Sequence, residues 1–137
     1  MMGSPSLIIN RPTCRWLGWG ILAVVLAGCG GKNYTPPADA DPALAKTALE
    51  KALDCWRLRI APEELKAADP PIVVNDFDWQ GGRRLMEFQL LPGEESVGIN
   101  VRWPVRLRLV HADSREEIVD VVYIISTSPS IHIARAD

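Results

Sequence analysis

Residues that carry covalent or metal chemistry are scarce in this sequence. It has two histidines, three cysteines and no acidic side chain before Asp39. His111 closes a strand-like run, and His132 alternates with Ile131 and Ile133, so each reads as a solvent-facing or satisfied sheet residue. A metal centre needs more converging nitrogen, sulfur or carboxylate ligands than this spacing supplies. Ser126, Thr127, Ser128 and Ser130 offer hydroxyls, but no nucleophile-elbow sequence surrounds them. Glycine-rich phosphate loops are also missing: Gly30-Gly31 lies in a proline-containing spacer, and Gly81-Gly82 is not followed by a helical pattern. The longest apolar run falls short of the roughly 20 residues needed to cross a bilayer. These absences point to a non-catalytic domain with no cofactor and no bound metal.

That short apolar run, Trp16 to Ala27, is broken only by Gly18 and Gly20 and is preceded by Arg11 and Arg15. A basic start, an apolar middle and small residues at the end make residues 1–28 an expected secretory leader. Leu26-Ala27-Gly28-Cys29 closes it.

These four residues resemble the lipobox of bacterial lipoproteins, a bulky aliphatic residue and two small ones before a cysteine. The resemblance implies cleavage between Gly28 and Cys29, a diacylglyceryl group on the Cys29 thiol and acylation, such as palmitate, of the new amino group. A single myristoyl chain holds a membrane only marginally, whereas several chains on one residue anchor stably, at about 0.8 kcal/mol per buried methylene. Gly30 stands where many inner-membrane lipoproteins of two-membrane bacteria carry Asp, so the family analogy favours the outer membrane, facing the periplasm. With Cys14 in the leader and Cys29 lipidated, Cys55 has no partner within the chain and no internal disulfide is expected. Cys55 then reads as a small, half-buried apolar residue, with an intermolecular disulfide as the alternative.

The formal charge of the chain is −2, and it becomes more negative once Arg11 and Arg15 leave with the leader, which argues against a nucleic-acid partner. Residues 29–41 comprise the expected lipidated Cys29 and a flexible tether, GGKNYTPPADAD, with a proline pair and almost no large apolar residue. Such a coil reaches on the order of 20 Å from a membrane. Residues 42–137 form the single expected domain.

Asp41-Pro42 is a helix start. From Pro42 to Ile60, Ala45, Leu49, Ala52, Leu53, Trp56 and Ile60 gather on one arc at 3.6 residues per turn, opposite Lys46, Glu50, Asp54 and Arg57. A second, short helix is signalled by Ala61-Pro62-Glu63-Glu64 and stops before Asp69-Pro70-Pro71. The period then changes to 2. Expected strands are Ile72 to Asn75, Arg83 to Leu91, Ile99 to Val110, Glu117 to Thr127 and Ile131 to Arg135, joined by turn-rich segments. Short connections favour antiparallel neighbours. The expected fold is α+β: one long N-terminal helix plus a short helix on a curved antiparallel sheet of four or five strands. Pro104 predicts a bulge or an edge position. The strand from Glu117 is apolar on both faces, with Ile118, Val122 and Ile124 on its second side, so one face needs a cover other than the helix.

Helix followed by curled sheet is similar to the cystatin-like and nuclear-transport-factor-2-like class. The similarity rests on element order and carries over no functional residue. Some members of that class bind small molecules in the hollow of the sheet and others serve as interaction modules.

The densest polar and aromatic segment is Asn75 to Gly82, where Asp76, Asp78 and Trp79 are the candidate ligand-binding residues: carboxylates for sugar hydroxyls or calcium, an indole for stacking. Regularly spaced oxygen ligands for a calcium loop are lacking. The structural reading has Asp and Asn closing turns and Phe77 and Trp79 plugging the core end. Arg102, Arg106 and Arg108, with Arg83 or Arg84, form either a basic strip for an anionic envelope polymer or a face paired with Glu87, Glu117 and Asp120. An acid–base role for Asp76, Asp78 or His132 is the weakest reading. The leading expectation is a lipid-anchored envelope protein, joined to the membrane through Cys29, whose domain binds an envelope protein or a second copy of itself. The alternative is a small-ligand or glycan-binding module using the concave sheet face and the Asp76–Trp79 loop.

Overall fold

The computed structural model describes Gly31, residues 33–36 and residues 38–136. The leader 1–28, the cleavage position Gly28–Cys29 and the lipidation site Cys29 lie outside the described residues. The chain divides into two units, Met1–Tyr34 and Thr35–Asp137. Of the first, Gly31, Asn33 and Tyr34 are described, and all three are exposed.

In the second unit, helix α1 spans Pro42–Arg57. The Asp41 carboxylate accepts from the Ala43 and Leu44 amides at 2.9 and 3.1 Å, and Pro42 occupies the first turn. Such a cap contributes about 1 kcal/mol. The two residues before the helix are also tied down: the Ala40 amide donates to the Gly98 carbonyl at 2.9 Å and the Asp41 amide to Thr127 Oγ1 at 3.0 Å. Ala45, Ala48, Leu49, Ala52, Leu53 and Trp56 form the buried stripe.

The helix stops short of Ile60. Arg59 takes φ 63°, its amide donates to the Trp56 carbonyl, and the Ile60 amide donates to the Cys55 carbonyl, both at 2.9 Å. These paired bonds form a Schellman termination, a position usually held by glycine. A 3-10 helix follows at Pro62–Ala67, with Leu65 buried.

Strands β1 (Ile72–Asn75), β2 (Arg84–Leu90), β3 (Glu95–Val97), β4 (Asn100–Val110), β5 (Glu116–Ser126) and β6 (Ile131–Ala136) build one strongly curled sheet in the order β1-β6-β5-β4-β2, with β3 also on β4. A four-residue helix, α2 (Phe77–Gln80), links β1 to β2. The fold is α+β, but the sheet is mixed and six-stranded, not a purely antiparallel one of four or five. β1 runs parallel to β6, with Ile72 opposite Ile131 and Val74 opposite Ile133. The short-connection rule does not reach this pair, because β2 to β5 lie between its two strands in the sequence. β3 escapes sequence reading because its three residues are all exposed and show no alternation of burial.

Pro104 causes neither a bulge in β4 nor an edge position. Its register with Val122 of β5 is continuous, and the irregularity lies instead in β2, between Leu85 and Glu87. On the other side of β4 the neighbour changes from β2, paired as far as Val105, to β3, paired from Arg102. Pro104 sits in that gap, where its carbonyl accepts from the Leu91 amide at 2.8 Å and its missing N–H costs no ladder bond.

The core lies between α1 and one sheet face. Val101, Val105, Leu107 and Leu109 of β4, Val121, Tyr123 and Ile125 of β5, and Ile131 and Ile133 of β6 all point into it. On the opposite face Pro104, Val122, Ile124, Ala134 and Ala136 are only half-buried, and Ile118 is 65% exposed.

Candidate functional site

Asp76, Asp78 and Trp79 come together at the β1–α2 junction, with 1%, 4% and 7% of their surfaces exposed. Asp76 caps α2, its Oδ1 accepting from the Asp78 and Trp79 amides at 2.9 and 3.1 Å. Its other oxygen accepts from the Tyr123 hydroxyl at 2.6 Å. Asp78 accepts from Arg135 Nη1 and lies 2.7 Å from Arg83 Nη1. Arg135 Nη1 is also 3.9 Å from Asp76. Two buried carboxylates are thus matched by two guanidiniums and a phenol, as burial of charge requires.

The electrostatics follow from that arrangement. Burial, then the charge of Asp76 and the hydrogen bond to it, push the Tyr123 phenol far above its usual range. Burial works against the charge of Arg135, but the hydrogen bond to Asp78 and the charges of Asp76 and Asp78 outweigh it and raise its pKa. Phe77 does not plug the core: it is 52% exposed and lies under the Arg135 guanidinium, 4.3 Å from carbon to ring centre, a cation–π contact. The cluster ties β1 and α2 to β5 and β6.

Trp79 stacks on Trp56 of α1, with centroids 5.5 Å apart and planes 5° from parallel. Each indole also donates to a backbone carbonyl: Trp56 Nε1 to Arg83 at 2.7 Å, and Trp79 Nε1 to Ile60 at 3.1 Å. The stack thereby clamps the segment after α1 to the turn before β2. Between these segments opens a cleft of about 520 Å³, lined by both indoles, Ile60, Pro62, Arg59, Arg83 and Arg84 among others.

The remaining candidates are dispersed. His111 Nε2 is 2.6 Å from Glu117, and His132 Nε2 is 2.8 Å from Ser130 Oγ on a solvent-facing strand position. Arg106 forms a two-pronged pair with Asp120 at 2.7 and 2.9 Å, and Arg108 meets Glu87 at 3.1 Å. The hydrogen bond from Arg106 holds the Asp120 carboxyl below its ordinary value. Glu117 turns to His111 and, at 3.9 Å, to Arg83. Cys55 is half-buried, and burial raises its thiol pKa, which keeps it protonated and weakly nucleophilic at neutral pH. Among the described residues no group of three His, Cys, Asp or Glu is gathered as metal ligands, and no helix is long and apolar enough to cross a membrane.

Sequence reasoning missed Arg135, Tyr123 and Trp56 as members of this region. The signal for Arg135 was its spacing: Ile131, Ile133 and Arg135 share one side of β6, so the guanidinium points inward with two isoleucines and requires a buried counter-charge. No known protein family, curated protein or solved structure matches this chain.

Proposed function

We propose that the protein is a lipid-anchored cell-envelope component whose folded part is a non-catalytic interaction domain. Anchoring is supported by the basic-then-apolar leader ending in Leu26-Ala27-Gly28-Cys29. Interaction is supported by the outer face of the sheet, the single observation on which this reading turns: Val122, Ile124, Ala134 and Ala136 are half-buried and Ile118 is exposed, while their counterparts under α1 are buried. An apolar strip beside exposed ion pairs is the composition of a protein-contact surface. The partner is another envelope protein or a second copy of the chain, held at the outer membrane in a two-membrane cell. The same reading relates the domain to the cystatin-like class, a helix lying across a curled sheet.

Glycan or small-ligand binding by Asp76, Asp78 and Trp79 themselves is the less favoured alternative, because their polar atoms already serve Tyr123, Arg135, Arg83 and backbone groups.

Metabolic labelling with an alkyne analogue of palmitate tests the anchor: label should enter the native chain and be lost in Cys29→Ala. A photocrosslinking residue at Ile118 or Ile124 tests the face, with a discrete adduct expected in cells. Unlabelled native protein would remove the anchor, and absence of any adduct would remove the interaction surface.

A further inference from the structure

Arg59, Arg84 and Arg102 are the arginines among the described residues that make no ion pair, and two of them, Arg59 and Arg84, line the same cleft. They come from separate segments, the Schellman turn after α1 and the start of β2. The negative end of α1 accounts for a cation near residue 59. It does not account for Arg84. Arg83 adds a third guanidinium, itself 2.7 Å from Asp78, and Glu63 is the one acidic residue lining the cleft. The cleft is therefore cationic in a chain whose net charge is negative.

Its walls are fixed. The indole clamp holds the Ile60 and Arg83 carbonyls, each one residue from a free arginine, at 3.1 and 2.7 Å. Arg59 is held at φ 63°, a conformation that costs a non-glycine residue about 1–2 kcal/mol and that clusters at binding sites. Guanidinium forks match the oxygens of carboxylates and phosphates. Ile60, Ala61, Pro62 and the Trp edges supply an apolar wall beside them.

We infer that this cleft is a binding site for a small anion, a carboxylate or phosphate carried on an apolar or aromatic body, with Arg59 and Arg84 gripping the charged end and the indole-lined wall receiving the rest. Ordering of the walls before binding lowers the entropy cost of capture. Among the described residues, the site shares no lining residue with the apolar strip of Ile118, Val122, Ile124, Ala134 and Ala136.

The test titrates benzoate, phenyl phosphate and neutral benzyl alcohol into the full chain in detergent, following the Trp56 and Trp79 indole N–H signals and the amides of Ile60, Glu63 and Arg84 by NMR. At least one anion should give saturable shifts confined to these groups, and benzyl alcohol none. The better of the two identifies the charged end. Arg59→Gln with Arg84→Gln, both exposed and expected to leave the other amides in place, should weaken the binding at least tenfold. Arg102→Gln, eight residues along β4 from Val110, the partner of Arg84, and outside the cleft lining, should leave it unchanged. Absence of saturable binding by both anions, equal shifts with benzyl alcohol, undiminished affinity in the double variant, or an equal loss in Arg102→Gln would each overturn the inference.

Discussion

Arg59 is held in a left-handed backbone conformation that glycine adopts freely, so its presence sacrifices stability where the helix ends. Arg59→Gly should stabilise the domain by about 1 kcal/mol in denaturant melts while reducing anion capture, because it relieves the backbone and deletes the guanidinium. The tryptophans give a second contrast at this scale. Trp56 and Trp103 are both buried, but only Trp56 Nε1 has a hydrogen-bond acceptor among the described residues. Trp56→Phe removes that bond and half of the indole stack; Trp103→Phe removes no hydrogen bond. The first change should therefore cost about 1 kcal/mol more than the second, read as the difference in unfolding free energy.

At the scale of elements, how much was legible depended on the range of the interaction that decides each one. The stripe of α1 follows from local spacing, and its start from Asp41-Pro42. Its end does not, because an arginine occupies the turn where glycine would have announced it. The grouping of Asp76, Asp78 and Trp79 was readable from one short segment, whereas Tyr123 and Arg135, 47 and 57 positions away from their partners, were not. Helix α2 was hidden in that same segment: its capping carboxylate resembles ordinary turn chemistry, and four residues show no period. These junctions depend on the ionic cluster more than on propensity. Asp78→Ala leaves Arg135 buried without its closest counter-charge and should cost about 3–5 kcal/mol, visible as a large fall in denaturation midpoint.

For the molecule as a whole, the buried phenol makes stability depend on alkalinity. Tyr123 holds its proton in the folded state well beyond the pH at which an unfolded chain releases it. Above pH ~10 the unfolded state thus binds fewer protons than the native one, and stability falls with rising pH. The contribution is fully present below that pH and is lost above it at about 1.4 kcal/mol per pH unit. Thermal melts of the native chain should therefore drop steeply above pH ~10. Tyr123→Phe, which should cost about 1–3 kcal/mol at neutral pH through the donor lost to Asp76, should show a shallower decline.

The parallel seat of β1 beside β6 sets an order of events. A chain that emerges N-terminus first delivers β1 early, yet its neighbour arrives last, bringing the guanidinium that Asp78 waits for. Until then β1 has no strand beside it, and that border of the sheet cannot be completed before β6 has been made.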